Sequence, residues 1–310
     1  MRPSIRHDLI LATAMIVTMA VLPTLVATPA HAVTIDGSLD GEYGVARSTQ
    51  TTQTDFGDTP GPPVYGEGSE LDEAFGFVAD GVLYLYFSGN LVPFTTEPLT
   101  NPDELEIFID CIPGGQNQLR SDNPAVGPEL KLNELAGLRF DSEFSPDFWF
   151  DFSPMRGSRV MAFYSSLPSE SGGTGYYMGR SGPLDAGVLS GGTNPYGVRA
   201  AIDPSNVAGV TAGCGPASGA GATAGFEWSI PLAAIGNPTG TIKVSAFIAT
   251  DFAPQVSNQA LGSLPPGTCS LGAASGVDFS AIPGEQHFII DVSVPVRQES
   301  MGFVKRLYAR

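Results

Sequence analysis

Histidine is almost missing from this chain. Three occur in 310 residues, His7, His31 and His287, and the first two fall within the first 32 positions. One remaining imidazole cannot build a multi-histidine zinc or iron site. A Ser-His-Asp triad would have to use His287, in the run EQHFIID, and no G-x-S-x-G elbow accompanies it. His287 is therefore expected to be a strand histidine with a satisfied hydrogen bond. No G-x-x-x-x-G-K-[ST] phosphate loop is present, and glycine-rich pieces such as GGTG lack a strand-to-helix context. Cysteine is also scarce. Cys111 closes a strand-like run, EIFIDC, and not a helix start, so a Cys-His nucleophile is not indicated. Basic residues number 15 against 32 acidic ones. That balance repels phosphate backbones and anionic lipid, which argues against nucleic-acid and membrane-surface roles.

The first 32 residues carry a targeting pattern. Arg2 and Arg6 give a basic start, Leu9 to Val26 is an apolar run, and Ala30-His31-Ala32 offers small residues at a cleavage site. This reads as a secretory signal peptide, which leaves no membrane insertion after cleavage. The alternative, a membrane anchor, is disfavoured by a run barely long enough to span a bilayer, by Pro23 near its end and by the A-x-A site that follows. Arg2, Arg6 and Asp8 lie in that segment. The remaining 278 residues hold 13 basic and 31 acidic groups, a net of −18. Such a chain suits an extracellular or cell-surface setting and can attract divalent cations.

Charged residues make up only 15%, whereas glycine (38) and proline (26) are abundant, a pattern of many turns between short strands. Runs rich in β-branched and aromatic residues recur at Val45 to Thr54, Glu73 to Ala79, Val82 to Phe87, Leu105 to Ile112, Ser158 to Tyr164, Tyr196 to Ile202, Gly225 to Ile230, Thr241 to Thr250 and Gln286 to Val296. Asp80-Gly81 between two of them is a strong hairpin signal. Pro128 to Leu138 is the one short helix expected, with Leu130, Leu135 and Leu138 on one side. About ten strands predict an all-β sandwich or jelly roll, residues 33–310 forming one domain. The Gly/Ser-rich stretch around 165–195 is expected to be a loop excursion from it. Regular repeats are absent, which argues against a propeller or solenoid.

Cys214 and Cys269 both lie in Gly/Pro-rich loops, TAGCGPASG and PPGTCSLG. In an exported chain they are expected to pair, leaving Cys111 free and partly buried; three unpaired thiols are the alternative. Among the acids, Glu227 in FEWSIPL and Asp110 in IFID are best placed on strands, where they are as easily solvent-face residues of a half-buried sheet.

Four pieces fall in a recognisable order. The opening VTIDGSLDGEYG, the strand Val82-Leu83-Tyr84-Leu85-Tyr86, the strand Asp103 to Asp110 (DELEIFID) and the segment Phe226 to Leu232 (FEWSIPL) resemble the I-D-G-x-x-D-x-x-W/Y opening and later strands of the family-nine carbohydrate-binding modules. Longer phrases, among them QTTQTDFGD, GSELDEAFG, IFIDCIPGGQNQL, LRFDSEFSPDFWF, SNQALGSLPPG and VDFSAIPGEQHF, resemble secreted bacterial proteins of unassigned function, often planctomycete.

The resemblance implies a sandwich that binds sugar by stacking it on exposed rings. The candidates are Trp149 with its neighbours Phe148 and Phe150, and the Tyr176-Tyr177 pair; Trp228 lies within a strand and reads as core. It also implies structural Ca2+. Asp36-x-Ser38-x-Asp40-Gly41 has the spacing of half an oxygen-ligand loop, with Arg47 where an EF-hand would need its bidentate acid. The alternative is a turn whose aspartates cap their own backbone. Asp55 and Asp58 form a second acidic turn of the same kind. Three functions follow as expectations: a secreted, non-enzymatic module for extracellular or cell-surface polysaccharide; an envelope or matrix protein that self-assembles; and, less favoured, a glycoside hydrolase using two carboxylates.

Overall fold

A computed structural model describes residues 33–56, 69–92, 95–96, 99–100, 103–126, 131–155, 159–251, 254–262 and 264–292. The expected signal segment, Asp58, Leu130 and the C-terminal MGFVKRLYAR lie outside the described residues.

The first strands are β1 (Ser48–Thr49), β2 (Glu70–Ala79), β3 (Val82–Asn90), β4 (Thr95–Thr96), β5 (Leu99–Thr100) and β6 (Asp103–Asp110). A one-turn helix α1 (Lys131–Glu134) separates these from β7 (Phe148–Met155), β8 (Arg159–Ser166), β9 (Gly175–Ser181), β10 (Ser190–Gly191) and β11 (Arg199–Ile202). The chain then forms β12 (Gly225–Pro231), β13 (Thr241–Thr250), β14 (Gln255–Leu261), β15 (Gly272–Ala273) and β16 (Phe288–Asp291). One sheet runs β1-β2-β3-β12-β11; the other runs β10-β9-β8-β7-β6-β13-β14-β15, with β16 also on β13. Neighbouring strands in both sheets are antiparallel, so the fold is the expected all-β sandwich.

The period-2 pattern explains the layering. Leu83, Leu85 and Phe87 of β3 face Leu105, Ile107 and Ile109 of β6 and Phe148, Phe150 and Phe152 of β7 in the core between the sheets. The intervening residues point outward. The β2–β3 hairpin turns at Asp80 (φ 51°) and Gly81 (φ 77°), positive dihedrals that suit the twist of the flanking strands.

Two sequence expectations change. The stretch around 165–195 is not a loop excursion, because β9 and β10 within it extend the larger sheet. Its glycines permit this locally: Gly179 sits at φ 124° with the Ser190 backbone against it, an approach that a Cβ would block. The expected helix shrinks to α1, after which Leu135 and Leu138 pack into a second core on the far side of the larger sheet. That core also holds Phe108, Trp149 and Phe247, and covers the outward side chains of β6, β7 and β13.

The Cys214–Cys269 disulfide is present and Cys111 is the free cysteine, half-buried with its Sγ 3.4 Å from the Ile235 carbonyl. The disulfide ties two loops around the QTTQTD and SNQAL segments. There Gln259 accepts from the Leu71 amide (3.1 Å) and donates to the Thr52 carbonyl (3.3 Å). Asn258 accepts from Asp55 N (2.9 Å) and donates to the carbonyls of Gln53 (2.7 Å) and Thr268 (2.8 Å). These amides are buried. They satisfy backbone outside the regular ladders, so the two segments meet in a buried polar seam.

Candidate functional site

The two sheets leave different outer faces. On the five-stranded sheet, Phe75, Phe77, Tyr84 and Tyr86 point outward from β2 and β3, beside Glu227 and Ser229 of β12. Half of this face is covered by the N-terminal segment. Tyr43, 2% exposed, lies over Tyr86 (centroids 5.6 Å) and edge-on to Phe77 (5.4 Å, 77°).

Glu227 pins that segment. One carboxylate oxygen accepts from Asp36 N (2.8 Å) and Gly37 N (3.0 Å), and the other accepts from the Tyr43 hydroxyl (2.9 Å). Gly37 (φ 89°) is obligatory here, because a Cβ would stand 2.1 Å from Asp203 N. Glu227 is not a solvent-face acid: it is fully buried, and burial pushes its carboxyl up to about 7 despite the hydrogen bonds it accepts. Nothing in the spacing of FEWSIPL signals that role. It becomes visible only when the opening IDG is folded onto β12.

The next row is formed by the directly opposed residues Val188–Arg199–Ser229–Tyr84–Phe77. Among the described residues the N-terminal segment reaches it only where Tyr43 meets Phe77, and Ser229 within it is buried. At the spacing of neighbouring strands it spans about 19 Å. Phe77 and Tyr84 are half-buried and stacked, with centroids 5.0 Å apart and planes at 16°. Ser229, between the long side chains of Tyr84 and Arg199, makes a low step in the row. Burial raises the Tyr84 hydroxyl above its usual range; Asp80 adds to this and Arg199 opposes it. Arg199 is exposed and forms no ion pair among the described residues. Two rings, a tyrosine hydroxyl and a guanidinium thus share one row of the sheet face.

The sequence-predicted ligand residues lie elsewhere. Trp149 is fully buried in the second core, with Nε1 donating to Glu106 at 2.5 Å. It points away from Phe148 and Phe150, as alternation requires, but onto a face that is covered and not wet. Tyr176 and Tyr177 are neighbours on β9 and point to opposite faces. Tyr176 stacks on Tyr164 (5.9 Å, 16°) and Tyr177 tilts against Phe163 (5.2 Å). Both are half-buried, and the pair cannot serve one ligand. Trp228 is core, as expected.

In the predicted calcium turn, Asp36 accepts from Ser38 N (2.9 Å) and Asp40 from Thr34 N (2.9 Å), an arrangement that closes the turn through its own backbone. Asp55 gathers with Cys214 and Cys269, but the sulfurs are bonded to each other and the carboxylate accepts from Ser270 N (2.8 Å). The acids that face each other most directly, Glu106 and Asp151 on β6 and β7, are buried and do not line an open cleft. Asp110 is half-buried at the end of β6, 4.0 Å from Lys243 Nζ. No described helix is long and apolar enough to cross a membrane.

Comparison of the chain with protein-family models, with curated proteins and with solved structures gave no match.

Proposed function

We propose that this protein is a secreted, non-enzymatic β-sandwich module that binds extracellular or cell-surface polysaccharide on the open half of its five-stranded sheet. The observation that carries this reading is the Phe77–Tyr84 stack, half-exposed and flanked by Ser229 and Arg199 in one row. Pyranose C–H faces pack on aromatic rings, while hydroxyl and guanidinium groups take the sugar's hydrogen bonds. An extended row suits a chain ligand better than a small molecule, which needs a concave pocket. The disulfide and the apolar start of the chain support export.

The experiment is a polysaccharide pull-down and glycan array with the wild-type chain and the Tyr84→Ala and Arg199→Ala variants. Each is run with calcium and with a chelator, because the Asp36–Asp40 turn leads into Tyr43 beside the rings. Binding in the wild type that falls at least about tenfold in Tyr84→Ala, a loss of about 1.4 kcal/mol, supports the reading. Binding unaffected by both variants refutes this face as the site. No glycan binding together with concentration-dependent assembly would transfer the face to contacts between copies, the role of an envelope or matrix protein.

A further inference from the structure

His287 is buried, yet it forms part of the wall between two clefts, of about 310 and 540 Å³, and both clefts also include Glu285. Its Nδ1 stands 3.0 Å from Asp141 Oδ2, an oxygen already fixed by the Gln286 amide at 2.7 Å. The Phe144 ring stacks on the imidazole with centroids 5.3 Å apart. Ring position is thereby set: a carboxylate accepts, so Nδ1–H donates to Asp141 and, in the neutral ring, the lone pair is on Nε2. That nitrogen makes no hydrogen bond among the described residues. Its nearest charged neighbour is Glu285 Oε2 at 3.9 Å, on a side chain 73% exposed and free to swing. Glu143 lines the smaller cleft with them.

We propose that His287 Nε2 and the Glu285 carboxylate form a site for one divalent transition-metal ion, with Asp141 orienting the imidazole from behind. A histidine that donates its other ring N–H to a carboxylate is the usual supporting arrangement for a metal-bound imidazole. With metal–ligand bonds of about 2.0–2.2 Å, tetrahedral ligands sit about 3.4 Å apart, so Glu285 needs to move by only about 0.5 Å. The smaller cleft supplies Asp141, Glu143 and Glu285 as negative charge and has no cationic side chain among its lining residues. Nearby cations are otherwise engaged. Arg47, in the larger cleft, donates to the Gly76 carbonyl (3.2 Å), and Lys243 donates to the Glu143 carbonyl. An imidazole with carboxylate and water ligands selects zinc, nickel or copper over calcium and magnesium.

The test uses the full chain without an affinity tag. His7→Gln and His31→Gln are placed in the background, so that His287 is the sole imidazole. Calorimetric titration with Zn2+ is expected to show one site with Kd on the order of micromolar, unaffected by excess Ca2+ or Mg2+. Glu285→Gln and His287→Gln should each weaken it at least about tenfold, and Asp141→Asn by about 10–100-fold. Cu2+ should give a paramagnetic resonance spectrum with coupling to one imidazole nitrogen. Glu285→Gln changes an exposed side chain, and its unchanged melting temperature without metal separates ligand loss from unfolding. No zinc binding up to about 1 mM, zinc binding unchanged in both ligand variants, or binding lost in His287→Gln but retained in Glu285→Gln would each overturn the site.

Discussion

The two outer faces of the sandwich carry similar side chains and meet opposite fates. On the nine-stranded sheet, Phe108, Trp149 and Phe247 point outward and are completely buried. They lie under a second core drawn from distant segments, including Leu119, Leu138, Phe140 and Phe279. On the five-stranded sheet, Phe75 and Tyr86 are covered by Tyr43 and its segment, while Phe77 and Tyr84 in the next row remain half-exposed. Alternation along a strand states which residues share a face. Whether that face is wet depends on what crosses over it, and the crossing segment is remote in sequence.

The largest test of this contrast is Trp149→Ala against Tyr84→Ala. Trp149 fills a packed layer, and its truncation should cost about 3–5 kcal/mol in urea unfolding. Tyr84 is half-buried, and its truncation should cost about 1 kcal/mol or less while removing the glycan binding proposed above. Equal destabilisation by the two variants would mean that the faces are not different in kind.

The disulfide sharpens the contrast on the covered side. It closes a separation of 55 residues between the loop holding Cys214 and the loop that leads into the second core. Chain entropy puts its stabilisation at about 4 kcal/mol. The Cys214→Ser/Cys269→Ser variant should show this loss by denaturant unfolding and yet keep binding on the open face below its melting point.

A pH effect of intermediate size arises where the open face is half closed. Burial raises Glu227 from 4.5 to about 7, so the fold favours its protonated form. Between those values the unfolded chain has released the proton and the fold still holds it. Stability therefore falls as pH rises from about 4.5 to about 7 and levels off above that. Asp72, Asp103 and Asp147, each raised by burial from 3.8 to about 6, act with the same sign. Melting temperature should be higher near pH 5 than near pH 7.5. Glu227→Gln should flatten the upper part of that slope by about 3 kcal/mol at most. An unchanged slope in Glu227→Gln would mean that the other buried acids, and not Glu227, set the pH dependence.

Much of the architecture is legible in the chain. Asp80-Gly81 marks its hairpin, FWF and IFI alternate between two faces, and two loop cysteines pair. What escapes has specific physical causes. β9 runs through a Gly/Ser-rich stretch whose glycines permit close backbone approach, which composition reads as a loop. β14 carries Ser257, Asn258 and Gln259, polar residues buried in a seam that no periodicity reveals. Trp149 follows its alternation correctly, but a two-layer picture of the fold leaves the second core out. Tyr84 is a plain strand residue in VLYLY until Tyr43 is seen to cover Tyr86 and not Tyr84. The Asp141–His287 pair joins positions 146 residues apart, so a solitary histidine in the sequence gives no sign of it.

The smallest expected effect isolates the rings themselves. If Phe77 and Tyr84 form a platform already organised for ligand, their stacking should be measurable in the unliganded protein. A double-mutant cycle with Phe77→Leu and Tyr84→Leu should give a coupling of about 0.5–1.5 kcal/mol in unfolding free energy. Tyr43 touches Phe77 edge-on, so Tyr43→Leu should couple to Phe77→Leu as well, while its coupling to Tyr84→Leu should fall within about 0.3–0.5 kcal/mol of zero. Finding Tyr43 coupled equally to both would mean that the N-terminal segment covers the whole row. The open face would then be closed in solution, and the proposed binding surface would have to be exposed by releasing that segment.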